Sequence, residues 1–249
     1  MKDKIKNLEN VSHDLKKRIK EIERTTPTIS PITDGIINIE KYVKSDFRIL
    51  WILKESNDLT RKEGVLSGGG WDLCKKIDEM TWSEQKKIKA GQTVFRRLSF
   101  CSYYILMKEE LGEKTKQMSE EMWDAFKSTA YINVKKLPGI SRVKDDVIQA
   151  AYDLDKEILH DQIKAFNPNI IIGCNTLGFF SKHFKFNRQD KKSFKDLHHY
   201  FSPWKGYYPQ KDRLYIDTSH PLKPGITDEV FLKSILNCFN DWVLNYWGK

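Results

Sequence analysis

Long apolar runs are missing from this 249-residue chain. Its mean hydropathy is −0.59, and nothing approaches the roughly 20 consecutive apolar residues of a membrane span. No membrane partner is expected. The opening residues MKDKIKNLEN lack the apolar segment of a secretory signal, so a cytoplasmic location is expected. Cysteine is scarce and scattered. Cys74, Cys101, Cys174 and Cys238 form no CxxC pair, which argues against a disulfide framework or a zinc site and fits reduced thiols. The six histidines form no HExxH pattern. Neither a metal nor a cofactor is expected, and no internal repeat or low-complexity tract is present. Acidic residues are in deficit, with 34 Asp and Glu against 43 Lys and Arg and a formal charge of +9. A surplus of this size favours a polyanionic partner, nucleic acid ahead of a membrane surface.

The chain is long enough for one α/β domain with an accessory segment, expected as a monomer. Residues 1–24 read as a charged amphipathic helix, with Ile5, Leu8, Leu15, Ile19 and Ile22 on one face, either packed on the domain or a loose arm, or else a basic arm that touches DNA. Residues 25–35, TTPTISPITDG, read as a linker. The expected division is therefore 1–35, helix and linker, and 36–249, the α/β domain. Four short apolar runs follow: RILWIL at 48–53, AYINV at 130–134, NIIIG at 169–173 and LYID at 214–217. Such unbroken apolar strands suit a parallel sheet covered on both faces. The intervening segments carry helical patterns, one opening with Ser141 as its cap and the last with Thr227. The expected fold is a three-layer α/β/α sandwich around a short, mainly parallel, four-stranded sheet.

In such sheets ligands bind beyond the carboxyl ends of the strands. The ends of the four runs and the residues that follow them are KESNDLTRKEGVLSGGGWD, NVKKLPG, CNTLG and TSHPLKPG. One sheet edge therefore collects Glu55, Ser56, Asn57, Asp58, a glycine run that includes Gly69, Trp71, Asn133, Asn175 and His220. The Asn133 amide, with two donors and an acceptor, either reads the polar edge of a flat ligand or ties down a turn. His220 stands directly before Pro221, which favours an extended backbone there.

This ordered set resembles the uracil-DNA glycosylase superfamily across about residues 45–225. LKESND stands at the place of its first motif (forms such as GQDPYH or GEAPG). YINVKKLPG stands at the second, and SHPLKPG at the third, an HPS-like loop. The branch with GEAPG is nearest, because NVKKLPG and the later ILHDQIKAFNPNIIIGCN are similar to its N-V-V-K-C-R-P-P and L-x-x-Q-I segments. The iron–sulfur cysteines of that branch are not matched, and the first motif lacks its usual Gly and Pro.

The resemblance implies a monofunctional DNA glycosylase. Asn133 would bind the Watson–Crick edge of a flipped pyrimidine, and His220 would sit at its O2. Glu55, and after it Asp58, would position the water, because Ser56 falls where one branch has a water-activating Asp. Ser56, Asn57, Gly69, Trp71 and Asn175 would complete the base pocket. Lys135, Lys136 and Lys223 would hold phosphates, with Leu222 as a wedge and Trp204, in the aromatic cluster 198–208, as a stacking platform or part of a surface loop. The substitutions near Asp58 and Gly68–Gly70 widen the pocket toward thymine-like or bulkier modified pyrimidines. Arg96 and Arg97 read as a solvated face or as phosphate contacts. Two alternatives stay open: an inactive DNA-binding protein on the same scaffold, and a metal-dependent nuclease using Glu55 with Asp58, or Asp212 with Asp217.

Overall fold

The computed structural model describes residues 1–22, 27–87, 92–109, 117–139, 143–186, 191–192 and 206–248. Its main sheet contains β2 (Gly35–Ile36), β3 (Ile49–Leu53), β6 (Ala130–Asn133), β7 (Ile170–Cys174), β8 (Gly206–Pro209) and β9 (Leu214–Thr218). The order is β2-β6-β3-β7-β9-β8. The four apolar runs read from the sequence are its parallel centre, β6-β3-β7-β9. The sheet nevertheless has six strands rather than four, because β2 and β8 add short antiparallel edges to β6 and β9. A two-residue strand such as Gly35–Ile36 has too few residues to show a period of two.

The alternation along β3 explains the layers. Ile49, Trp51 and Leu53 enter one core with α3 (Leu73–Glu79), α5 (Gln92–Met107), α6 (Glu120–Lys127) and α8 (Asp228–Asn245). Leu50 and Ile52 enter a second core on the opposite face, with α1 (Lys2–Lys20), α2 (Ile39–Lys44) and α7 (Asp145–Phe166). Helices thus cover both faces of a mainly parallel sheet. Thr227 caps α8 through a hydrogen bond from the Val230 amide, as its sequence predicts. The other expected cap, Ser141, lies outside the described residues. Helix α7 starts at Asp145 with Asp145 and Asp146 in its first turn, favourable charge for a helix N-terminus, and ends in a left-handed Asn167.

Residues expected to be a helix and a separate linker are part of this body. Leu8 and Leu15 of α1 lie in the same core cluster as Ile52 and Ile132, and Ile19 is fully buried. The boundary expected after residue 35 cuts through β2. β1 (Ile29–Ser30) pairs with β5 (Val65–Gly69), which pairs with β4 (Thr60–Lys62) in a small second sheet. Glu63 and Gly64, with φ of 50° and 82°, turn the β4–β5 hairpin. Positive φ at both loop positions is what a two-residue type I′ turn requires. Between α3 and α5 lies the short helix α4 (Trp82–Gln85), opened by a Thr81–Glu84 capping box.

The chain visits β3, moves to β6 on one side, then crosses to β7 on the other. The connections on the two sides of β3 leave toward opposite faces, through α5 and α6 in one case and α7 in the other. Such a switch point opens a crevice at the carboxyl ends of β3 and β7, where open α/β sheets bind ligands.

Candidate functional site

The loops after β3 and β6 run side by side. Strand pairing continues past Leu53 and Asn133, with the Val134 amide donating to Leu53 O at 2.9 Å and the Lys135 amide to Lys54 O at 2.9 Å. Further on, the Gly139 amide donates to Ser56 O at 2.9 Å. A Cβ at Gly139 would meet the Glu55 carboxyl, so any larger residue there would push that carboxyl out of its place. Two motifs 80 residues apart in sequence therefore form one wall.

Glu55, Ser56, Asn133 and Lys135 touch within that wall. Asn133 is 2% exposed. Its Nδ2 donates to Ser56 Oγ at 3.0 Å, and its own backbone amide donates to Asp34 Oδ2 at 2.8 Å. Glu55 Oε2 accepts from Lys135 Nζ at 2.5 Å, and the same ammonium donates to the Leu137 and Pro138 carbonyls. Two buried acceptors, Glu55 Oε1 and Asn133 Oδ1, have no partner among the described residues. Buried polar atoms are almost always hydrogen-bonded, so each exception asks for an explanation.

Two of the expected phosphate-binding lysines are corrected. Lys136 is 1% exposed. Its ammonium donates to both Asp34 carboxylate oxygens, at 2.7 and 2.9 Å, and to Gln162 Oε1 at 2.9 Å. Gln162 Nε2 returns a bond to Asp34 Oδ1 at 2.9 Å. The group joins NVKKLPG to ILHDQIKAF in space and is structural. Lys135 is spent on Glu55 and two carbonyls rather than on solvent. A KK pair before a Pro-Gly turn reads as surface charge, and Asp34, the partner that buries one of them, stands about a hundred residues away.

Asp58 and Gly69 also take structural places. Asp58 Oδ2 accepts from the Gly69 amide at 2.9 Å and from Trp71 Nε1 at 2.7 Å, so this carboxylate anchors the hairpin. Gly69, at φ 79°, lets β5 approach Ser30, whose carbonyl a Cβ would strike. The space beside it belongs to the backbone, not to a base. Trp71 is half-buried, and Lys76 Nζ lies 4.6 Å from the centre of its ring. Asn57 is exposed and bridges to Gly139.

Across the switch point, Asn175 turns the chain in the left-handed region at φ 63°, its amide donating to Thr218 O at 2.8 Å. Asp217 Oδ1 accepts from the Thr176 and Leu177 amides at 3.3 Å and so holds this turn. Among the described residues no three His, Cys, Asp or Glu side chains are grouped so as to hold a metal ion. All four cysteines are buried, and burial pushes the thiols of Cys74, Cys101 and Cys238 up.

His220 follows β9 and is half-buried. Its Nδ1 accepts from the Leu222 amide at 3.1 Å. An imidazole that accepts at Nδ1 carries its neutral-form proton on Nε2, which makes that nitrogen a donor. Leu222, 55% exposed, and Lys223 form the tip of the loop. Trp204 lies outside the described residues.

Arg97 is a residue the sequence reading misplaced. It is 6% exposed. Its Nε donates to Asp228 Oδ1 at 2.7 Å, and its two terminal nitrogens donate to the Pro221 and Ile226 carbonyls. Arg96 pairs with Asp228 Oδ2 at 2.8 Å. Burial pushes the Asp228 carboxyl up, but the bonds from Arg97 and Arg96 outweigh this and hold it below the usual range. Apolar neighbours on α5 hinted that one of the two arginines faces inward. Only the return of residues 221–228 onto α5 supplies its acceptors.

No family model matches the chain, and a search of curated proteins finds no match.

Proposed function

We propose that the chain is a monofunctional DNA glycosylase with the fold and activity of the uracil-DNA glycosylase superfamily. It flips a uracil or modified pyrimidine out of DNA and hydrolyses its N-glycosidic bond, leaving an abasic site. The role is base-excision repair or defence against phage DNA with modified bases, performed by a cytoplasmic monomer with water as the only co-reactant.

The observation that carries this reading is the pair of unpartnered buried acceptors at adjacent strand ends, Glu55 Oε1 and Asn133 Oδ1. A buried acceptor without a donor costs about 1–3 kcal/mol, which a ligand that supplies donors returns. A pyrimidine ring N–H suits Asn133, and a water suits Glu55, whose other oxygen Lys135 holds. Two strand spacings, about 10 Å, separate the end of β3 from the end of β9, room for a nucleoside between Glu55 and His220. Water attacks C1′ as the C1′–N1 bond breaks. The water proton passes to Glu55, and the bonding pair leaves with the base. The negative charge then grows at the base O2, where the Nε2–H of His220 meets it. Exposed Leu222 fills the space left in the duplex and Lys223 meets a phosphate.

A catalytically inactive DNA-binding protein is the second reading. It is favoured by one observation: Asn133 Nδ2 is already committed to Ser56, so a base must exchange that bond to use the amide as a donor as well as an acceptor. The test is incubation with oligonucleotides carrying different pyrimidines, and with modified phage DNA, with and without EDTA. Released bases are identified by mass spectrometry and abasic sites by alkali cleavage. The expected result is free base and alkali-labile sites that EDTA does not suppress. Binding without base release supports the second reading, and strand cuts lost in EDTA overturn both in favour of a nuclease.

A further inference from the structure

We infer that Arg97 is a positioning residue: its buried guanidinium closes the neck of the loop that carries His220 and Leu222 and sets the loop's shape before DNA arrives. The loop leaves the sheet at Ser219 and rejoins the body at Thr227. Pro221 and Ile226 are buried at its two anchors, while Leu222, Lys223, Pro224 and Gly225 between them are exposed. A short loop with an exposed tip gains its order from its neck. Here the neck is one side chain. Arg97 donates to the carbonyls of both anchors and, through Nε, to Asp228 at the start of α8. The planar fork of a guanidinium can serve three acceptors in fixed directions, which an ammonium cannot. The ring of Phe231 lies 5.5 Å from the guanidinium carbon and packs it from one side. Pro221 O is one residue from His220, and the Leu222 amide is the donor to His220 Nδ1. The neck therefore determines which way Nε2 points.

The effect on turnover rests on the glycosylase reading; the effect on the loop does not. Arg97→Lys keeps the charge but loses the fork. In the folded variant the Leu222 amide should exchange with solvent about ten- to a hundredfold faster than in the parent. The ¹⁵N shift of His220 Nδ1 should move as that nitrogen loses the hydrogen bond from the Leu222 amide. Single-turnover base release should fall about a hundredfold, as a misplaced group costs, while DNA affinity changes less than about threefold. Asp228→Asn, which leaves a neutral acceptor for Nε, should move every readout the same way by less. The parent protein gives an independent arm: the Leu222 and Lys223 amides should be protected although their side chains are exposed. Free-peptide exchange at both in the parent overturns the inference. So do parental exchange and turnover in folded Arg97→Lys, or a turnover loss that tracks DNA affinity. If the parent releases no base, the glycosylase reading fails, and the exchange and ¹⁵N results still decide the role of Arg97.

Discussion

Asn133 carries two tasks that a single substitution removes together and two measurements separate. Its Nδ2–Ser56 bond belongs to the fold, and its Oδ1 has no partner among the described residues. Asn133→Ala is expected to lower stability by about 1 kcal/mol, the net worth of one hydrogen bond, and to abolish base release. Urea unfolding and single-turnover assays on the same preparation check it; a loss of activity that merely follows the unfolded fraction would make Asn133 structural. Lys136 is the opposite case. Lys136→Met leaves the Asp34 carboxylate buried without its cation and should cost about 3–5 kcal/mol. Lys223→Ala, at the exposed loop tip, should change stability by less than about 0.5 kcal/mol. Equal and small effects at both positions would show that Lys136 is solvated after all.

At the scale of elements, α1 is where the sequence left the most open. Its apolar stripe is legible as a stripe, but a stripe does not say what covers it. The structure lays Leu8 and Leu15 into the core beneath the sheet and ties Arg18 to Asp161 of α7 at 2.7 Å. Leu15→Ala should therefore cost about 2–5 kcal/mol, as a buried leucine does, measured by urea or thermal unfolding. A cost below about 0.5 kcal/mol would return α1 to the role of a loose arm. The β4–β5 hairpin escaped the sequence reading for a related reason. Its turn is Glu-Gly rather than the strongly signalling Asn-Gly or Asp-Gly, and all three residues of β4 are exposed, so no alternation marks it.

For the whole molecule, acid should act in two stages. His160 of α7 and His183 stack with ring centres 3.6 Å apart, and Tyr152 Oη meets His160 Nε2 at 2.9 Å. Burial holds both imidazoles below the ordinary value, and for His160 the neighbouring His183 adds to it. The unfolded chain therefore takes up protons first as the pH falls below about 6.5, so stability is full above that value and is lost on acidification through it. Asp228, whose folded carboxyl lies below its usual range, contributes stability above that range and loses it at lower pH. Urea titrations from pH 8 downward should show the first fall near the ordinary histidine range. The His160→Gln/His183→Gln variant should remove it and keep the second. A parent whose stability is flat across pH 7 to 5 would refute the stacked pair as its cause.

Local composition and periodicity were enough to determine the α/β class, the four parallel strands, the four longer helices after β3 and the Thr227 cap. These depend on residues a few places apart, and burial on both faces leaves an unbroken apolar run wherever it occurs. The strand ends were equally legible as a set, because a parallel sheet puts all its carboxyl termini on one edge. What each polar residue there does was decided only by the tertiary structure. Lys135 and Lys136 are adjacent and chemically identical, yet one meets Glu55 and the other Asp34, partners 80 and 102 residues away. Arg97 reads as surface charge until residues 221–228 return over α5 with three acceptors. A charged side chain takes its role from whichever opposite group the fold brings within 3 Å, and that pairing has no period along the chain.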